Sequence, residues 1–284
     1  MNTEEINDLY WWAQERVRGF MSGLHRSPDF GYSVEFAQHR QYVPGDSPKH
    51  IDWSVLAKTD RYLTKQYEAE SNMRSYFVLD SSSSMQAPAG PEGKWNTTLK
   101  LLVLIAALVQ KQRDALGLLE VHGETLNFFE SSNKSENIQQ ILNHIQGIGT
   151  TPKANTVFSA AIQQLLVRIP KRSQVLIFTD FYHEDDEGFV QEVNKLRHAG
   201  HHVRVFMMYS GALEVEGKTL SGSLVEDVEF GTRTMLSSSD VKRYTAFCSE
   251  KLRFFESAFR TANLQFDTVD IDHGALIGLR KIIA

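Results

Sequence analysis

The sequence predicts an α/β protein built on a doubly wound, mostly parallel sheet, with a β-rich extension at its N-terminal end. Three observations carry this expectation. From Tyr76 onward, short β-type runs alternate with helix-length amphipathic segments, the pattern of a parallel sheet with crossover helices. The turn Asp80-Ser81-Ser82-Ser83-Ser84 directly follows the apolar run Tyr76-Phe77-Val78-Leu79, in the crevice position where open α/β sheets bind ligands. Residues 19–75, in contrast, are rich in turn formers and short β-type pieces such as Gly31-Tyr32-Ser33-Val34-Glu35-Phe36 and Tyr62-Leu63-Thr64-Lys65-Gln66-Tyr67.

A helix is expected over residues 3–18, opened by Thr3 and Glu4-Glu5 and anchored by Tyr10-Trp11-Trp12; hydroxyls and acids suit a helix N-terminus. It forms an extension, residues 1–74, with the β-rich pieces, and residues 75–284 form the main domain. Strands are expected at 75–80, 116–122, 174–180, 202–209 and 265–271. Helices are expected at 94–113, 135–146, 157–169, 187–199, 239–262 and 274–283. Glu184-Asp185-Asp186-Glu187 reads as a solvated helix start. His198, His201 and His202 around Gly200 read as a helix end, not a zinc site. The segment 211–236 interrupts the alternation and reads as a surface excursion. In helix 239–262, Phe247, Leu252, Phe255 and Phe259 supply an apolar face, and Cys248 reads as a small buried residue.

Composition narrows the functional classes. The 284 residues are 42% hydrophobic, enough for a sizeable core. Thirty basic residues against 35 acidic ones, without a basic cluster, give no nucleic-acid footprint. No apolar run approaches the ~18 residues of a membrane span, and the longest, Leu99 to Val109, reads as a core helix. Met1-Asn2-Thr3-Glu4-Glu5 is acidic where a secretory signal is basic. One cysteine permits neither an intrachain disulfide nor a thiolate cluster. A cytoplasmic protein is expected.

Asp80, Ser82 and Ser84 offer one carboxylate and two hydroxyls at alternate positions. Such hard oxygens suit a small divalent cation, Mg²⁺ with Mn²⁺ as the alternative; the bland reading is a polar serine loop. Asp180 ends a second apolar run, Val175-Leu176-Ile177-Phe178-Thr179, and Thr156 precedes the helix 157–169. Singly, these are a strand-end turn residue and an N-cap; together they stand at the topological points that converge on one rim of the sheet. Catalysis is unsupported by the sequence rather than excluded. A haloacid-dehalogenase-like phosphatase wants an aspartate where Ser82 stands. Gly90-Pro91-Glu92-Gly93-Lys94 lacks the spacing and the Ser/Thr of a P-loop. A metal-dependent hydrolase of phosphate esters is the alternative function, with His183 or the acidic run 184–187 as its base.

The D-x-S-x-S turn, the later threonine and the later aspartate resemble the metal-ion-dependent adhesion site of von Willebrand factor A domains, a Rossmann-type fold. Upstream, Gly23-Leu24-His25-Arg26-Ser27, Gly31-Tyr32-Ser33-Val34-Glu35-Phe36, Arg40-Gln41-Tyr42-Val43-Pro44-Gly45-Asp46 and Ile51-Asp52-Trp53 follow in order. That series resembles the bacterial domain of unknown function 58 from about Gly23 to the C-terminus. The resemblance implies metal contacts from Asp80, Ser82, Ser84, Thr156 and Asp180. Thr156 is chosen over Thr150 and Thr151 for its spacing to Ala161-Ile162. It further implies no catalysis, a protein partner that supplies an acidic residue to the metal, and partnership with a MoxR-type AAA+ ATPase in protein assembly or maturation. Arg40 is expected to pair with an aspartate and lock the extension onto the sheet.

Overall fold

The structure is a computed structural model that describes residues 3–16, 33–43, 46–70, 73–148, 158–218, 220–226 and 233–275. The chain forms two compact units, Arg26–Asn72 and Met1–His25 with Met73–Ala284.

The larger unit begins with α1 (Thr3–Arg16), which buries Ile6, Tyr10 and Ala13 in the main core. The division expected at residue 74 therefore differs here, because this helix has an apolar stripe that belongs to the main unit. Within Tyr10-Trp11-Trp12 the helical period turns Trp11 outward, where it is 64% exposed. The unit continues with β3 (Arg74–Asp80), α3 (Lys94–Lys111), β4 (Ala115–His122), β5 (Thr125–Ser132), α4 (Ser135–Gly147), α5 (Phe158–Arg168), β6 (Gln174–Thr179), α6 (Asp186–His198) and β7 (His202–Tyr209). A π-helical turn (Gly211–Val215), β8 (Leu224–Glu226), β9 (Arg233–Met235), α7 (Ser238–Thr261) and β10 (Gln265–Asp270) complete it.

Six strands form one sheet in the order β10-β7-β6-β3-β4-β5. All neighbours are parallel except β5, which runs antiparallel to β4. Alternation along the strands divides the core. Phe77, Leu79, Phe178 and Phe206 face α1, α3 and α4; Tyr76, Val78, Val175 and Ile177 face α5, α6 and α7. Both faces of β3 are covered, so its sequence is a continuous apolar run. Every residue of α3 from Leu101 to Val109 is buried. A helix apolar all round requires covering on every side, and α1 supplies the outer cover. Among the described residues, no helix is long and apolar enough to cross a membrane.

The edge strand β5 lies outside the expected pattern. Its residues are exposed or half-buried throughout, so it lacks the apolar run that marks the central strands. Its signal is Gly123, whose φ of +57° makes the tight turn from β4. The excursion 211–236 contains the short antiparallel pair β8–β9, but its first turn is not a surface feature, as the site shows. The helix expected at 274–283 falls largely outside the described residues.

The smaller unit pairs β1 (Ser33–Gln41) antiparallel to β2 (Leu63–Glu70), with α2 (Trp53–Thr59) between them. Arg40 does pair with an aspartate. Its Nη2 donates to both oxygens of Asp46 at 2.8 Å, and Val43 N donates to the same carboxylate. Both partners belong to this unit, so the pair closes its own turn. Asp52 caps α2, accepting from Ser54 N and Val55 N, with His39 Nε2 at 2.9 Å and Lys65 Nζ at 3.4 Å. The His39 hydrogen bond leads the causes that hold its pKa down at about 2. A carboxylate with a depressed pKa contributes stability above its unfolded value of ~4 and loses it as pH falls through the folded value. Asp52→Ala is expected to abolish hydrogen-exchange protection of the Ser54 and Val55 amides. In the unaltered protein that protection is expected to persist on acidification until the pH approaches the folded value.

Candidate functional site

Parallel registration of β3 and β6 pairs Leu79 with Phe178, which brings the two strand ends to one rim. Asp80 and Asp180, the residues at those ends, are both buried. Asp80 Oδ1 accepts from Ser82 N at 3.0 Å, closing the turn, and Oδ2 accepts from Thr179 Oγ1 at 2.6 Å. The hydroxyls of Ser82 and Ser84 lie 3.1 Å apart. Ser84 Oγ donates to Asp180 Oδ1 at 3.2 Å, and Tyr182 N donates to the same oxygen. Ser81 points the other way, its hydroxyl donating to Glu120 on β4 at 2.9 Å. Beyond Asp80 the chain turns into a short 3-10 helix, Ser84–Gln86, and this turn places the Ser82 and Ser84 hydroxyls together. Of the five residues expected to converge, Asp80, Ser82, Ser84 and Asp180 do so; Thr156 lies outside the described residues.

Two charged residues join the cluster without having been anticipated. Lys94 Nζ donates to Asp180 Oδ2 at 2.8 Å and to Glu214 Oε1 at 3.2 Å, and it lies 4.8 Å from the centre of the Tyr182 ring. Lys94 is 1% exposed and Glu214 4%. Lys94 opens α3, where the helix dipole disfavours a cation; that misfit is the sequence signal for an acidic partner. Gly93 just before it admits no side chain, since a Cβ would stand 2.0 Å from the Pro88 carbonyl oxygen. Glu214 sits in the π-turn that opens the segment 211–236. Ser210 N donates to its Oε2 at 2.7 Å and Tyr182 Oη to its Oε1 at 3.1 Å. The expectation of a purely surface excursion is therefore corrected, because this turn folds a carboxylate back into the rim. Single-turn π-helices recur at functional sites.

Electrostatics follow from burial and contact. Burial works to lower the Lys94 pKa, but Asp180 and Glu214 outweigh it and hold the ammonium above its ordinary value. Burial lifts the Glu214 carboxyl above the usual range, with Lys94 and Ser210 N acting against it. Beyond Glu214, Tyr182 Oη lies 2.5 Å from Tyr244 Oη and 3.8 Å from Cys248 Sγ on α7. Burial pushes the Cys248 thiol up to about 11, consistent with an unreactive core residue. His183 is stacked on Phe189 at 4.1 Å and meets Phe158 and Phe255 edge-on. Burial keeps its pKa below the ordinary value despite Asp80 and Asp180.

The donor set fits a small hard cation. Carboxylate and hydroxyl oxygens on one buried rim are the ligand types Mg²⁺ takes, and the hydroxyls are held within 3.2 Å of their neighbours by hydrogen bonds.

A family model described as "Protein of unknown function DUF58" matches residues 38–247. The chain belongs to this family. The match runs from the end of β1 into the first half of α7, and so includes the serine turn, Lys94, Asp180 and Glu214 of this DUF58 protein. An uncharacterized protein of Mycobacterium tuberculosis (strain ATCC 25618 / H37Rv) is 23% identical over 173 residues, covering 60% of this chain and 54% of that protein. The chain thus spans about half the length of the curated relatives it matches. Among solved structures, the conserved hypothetical protein BatB from Bacteroides thetaiotaomicron superposes with a TM-score of 0.49 at 16% identity, over 74% of this chain and 95% of that one. An aerotolerance-related membrane protein from Bacteroides fragilis NCTC 9343 gives 0.48 at 16% identity, over 74% and 98%. Family membership rests on the sequence match, and the fold on the sheet topology described above.

Proposed function

We propose that this DUF58 protein is a non-enzymatic docking module in which the rim cluster holds a divalent cation and presents it to an acidic side chain of a protein partner. The observation that carries this reading is the linked set Asp80, Ser82, Ser84 and Asp180 at the ends of two adjacent strands. These residues would hold Mg²⁺, or Mn²⁺ in its place, with Thr156 added by the family resemblance. The ion would supply residual positive charge and exchangeable coordination positions, which suit a carboxylate from another chain. The protein's own part is positioning. Ser82 N fixes the Asp80 carboxylate, and Asp180 orients the Ser84 hydroxyl. With Asp80 or Asp180 acting through water, the ion would keep residual positive character.

The same resemblance supports a MoxR-type AAA+ ATPase as the partner, in assembly or maturation of other proteins. An ATP-driven partner would set this work in the cytoplasm. Among the described residues the hydrolase alternative finds no favourable base. The acidic run 184–187 starts α6, where Asp185 caps Gly188 N and Asp186 pairs with Lys251. His183 is enclosed by three phenylalanines. A general base needs hydrogen-bond reach to the proton it takes.

Capture from native extract tests the reading. The unaltered chain with Mg²⁺ is expected to retain an AAA+ ATPase, which is lost with EDTA and with Asp80→Asn. Identical partners under all three conditions would remove the rim from the interface. Phosphate-ester hydrolysis abolished by Asp80→Asn would favour the hydrolase.

A further inference from the structure

Ser81 belongs to the serine turn, yet β4 grips it through its amide, its hydroxyl and its carbonyl. Its N–H donates to Val121 O at 3.0 Å, and its hydroxyl reaches both Glu120 Oε1 at 2.9 Å and Val121 O at 3.2 Å. His122 Nδ1 lies 3.1 Å from its carbonyl oxygen. Glu120 is 4% exposed, a charge set in the otherwise apolar run Leu118-Leu119-Glu120-Val121. Its second oxygen accepts from Asn127 Nδ2 on β5 at 2.9 Å and from His144 Nε2 on α4 at 2.7 Å. The His144 ring is seated against Phe129, with 4.7 Å between centres. Burying a carboxylate carries a desolvation cost that a leucine at the same place would avoid. What Glu120 offers and leucine lacks is an acceptor for Ser81.

We infer that Glu120 is the positioning residue of the metal turn. Held by Asn127 and His144, it fixes Ser81, and through Ser81 the Asp80 and Ser82 groups, without ligating the ion itself; this rests on the metal site of the docking reading above. The chain of contacts is short. Ser81 lies between Asp80 and Ser82 in sequence, and Ser82 N closes onto Asp80 Oδ1 at 3.0 Å. A rotation of the Ser81 backbone would open that bond and part the Ser82 and Ser84 hydroxyls, which lie 3.1 Å apart. Side chains from β4, β5 and α4 thus converge to hold one serine of the turn. Residues behind a metal's ligands are commonly worth about 10–100-fold in affinity, because they orient the ligands before the ion arrives. Ser83 supplies the contrast. It stands in the same turn, and among the described residues its hydroxyl has no hydrogen-bond partner.

The test is the Mn²⁺ affinity of the full chain, followed by electron paramagnetic resonance, with circular dichroism to show that each variant is folded. Ser81→Ala is expected to weaken Mn²⁺ by ~10-fold or more, although its side chain is no ligand. Glu120→Met is expected to match it. Ser81→Ala/Glu120→Met is expected to be no weaker than the weaker single variant, as both changes break the same contact. Glu120→Gln keeps an acceptor oxygen for the Ser81 hydroxyl and is expected to stay within ~3-fold of the unaltered protein. Ser83→Ala is expected in that same range. A purely structural role would lower thermal stability and leave Mn²⁺ affinity in place. Should Glu120→Met not fold, the milder Ser81→Ala, Glu120→Gln and Ser83→Ala decide. The positioning role is overturned, while the metal site stands, if folded Ser81→Ala binds like the unaltered protein or if Ser83→Ala is as weak as Ser81→Ala. Glu120→Gln as weak as Ser81→Ala would assign the effect to charge and overturn it too. An unaltered protein that binds no Mn²⁺ overturns the metal site itself, and the inference with it.

Discussion

Lys94→Met is expected to lower the stability of the larger unit by about 3–5 kcal/mol, the cost of breaking one side of a buried ion pair. The methionine matches the lysine stem in length and apolar character, so lost packing adds little. The cost comes from Asp180 and Glu214, which keep their burial and lose their cation. The variant is also expected to lose stability as pH rises, because uncompensated buried carboxylates favour the protonated form. Urea unfolding of the two proteins at neutral pH measures the difference. A loss below ~1 kcal/mol would mean that water reaches the pair, as at exposed ion pairs, and would contradict the enclosed arrangement. The double variant Lys94→Met/Glu214→Gln is expected to recover part of the loss, since one uncompensated charge then disappears.

Phe178→Ala is expected to cost about 3–5 kcal/mol, in the range for emptying an aromatic site in a packed core. Phe178 lies on β6 between β3 and β7. It meets Phe77 edge-on at 5.7 Å and stacks on Phe206 at 4.9 Å. Phe206 is also its register partner across β6 and β7. Phe178 is fully buried in the main core, so collapse to fill the gap is limited. The urea midpoint of the main transition should fall with little change in slope. A drop under ~1 kcal/mol would show that the three rings do not form the continuous layer described here.

Sequence patterning carried the central architecture because buried parallel strands leave an unambiguous mark. Tyr76–Leu79 and Val175–Phe178 are continuous apolar runs because both faces of these strands are covered. The site was legible for the same reason. A carboxylate that follows such a run must stand at the rim. Other features depend on tertiary contacts that sequence pattern does not encode. Strand β5 is an edge with half-wet faces, so Phe128 and Phe129 sit among polar residues without clear periodicity. Helix α1 reads from sequence as part of the extension because nothing local ties Ile6, Tyr10 and Ala13 to α3. Glu214 was hidden in a polar segment, and only the return of the π-turn to the rim gives it a partner more than a hundred residues away. Lys94 ends the stretch Gly90-Pro91-Glu92-Gly93-Lys94, whose glycines suggest a phosphate loop more readily than a buried cation. Its more telling property was a positive charge at the wrong end of a helix.

The most direct test of the central claim is calorimetric titration of Mg²⁺ into the unaltered protein and into Asp80→Asn, with circular dichroism to verify that both are folded. The account predicts saturable binding of one Mg²⁺ by the unaltered protein and at least ~10-fold weaker binding by Asp80→Asn, which removes a charged ligand while keeping its shape. Equal binding by the two proteins, or none by the unaltered chain, would contradict it.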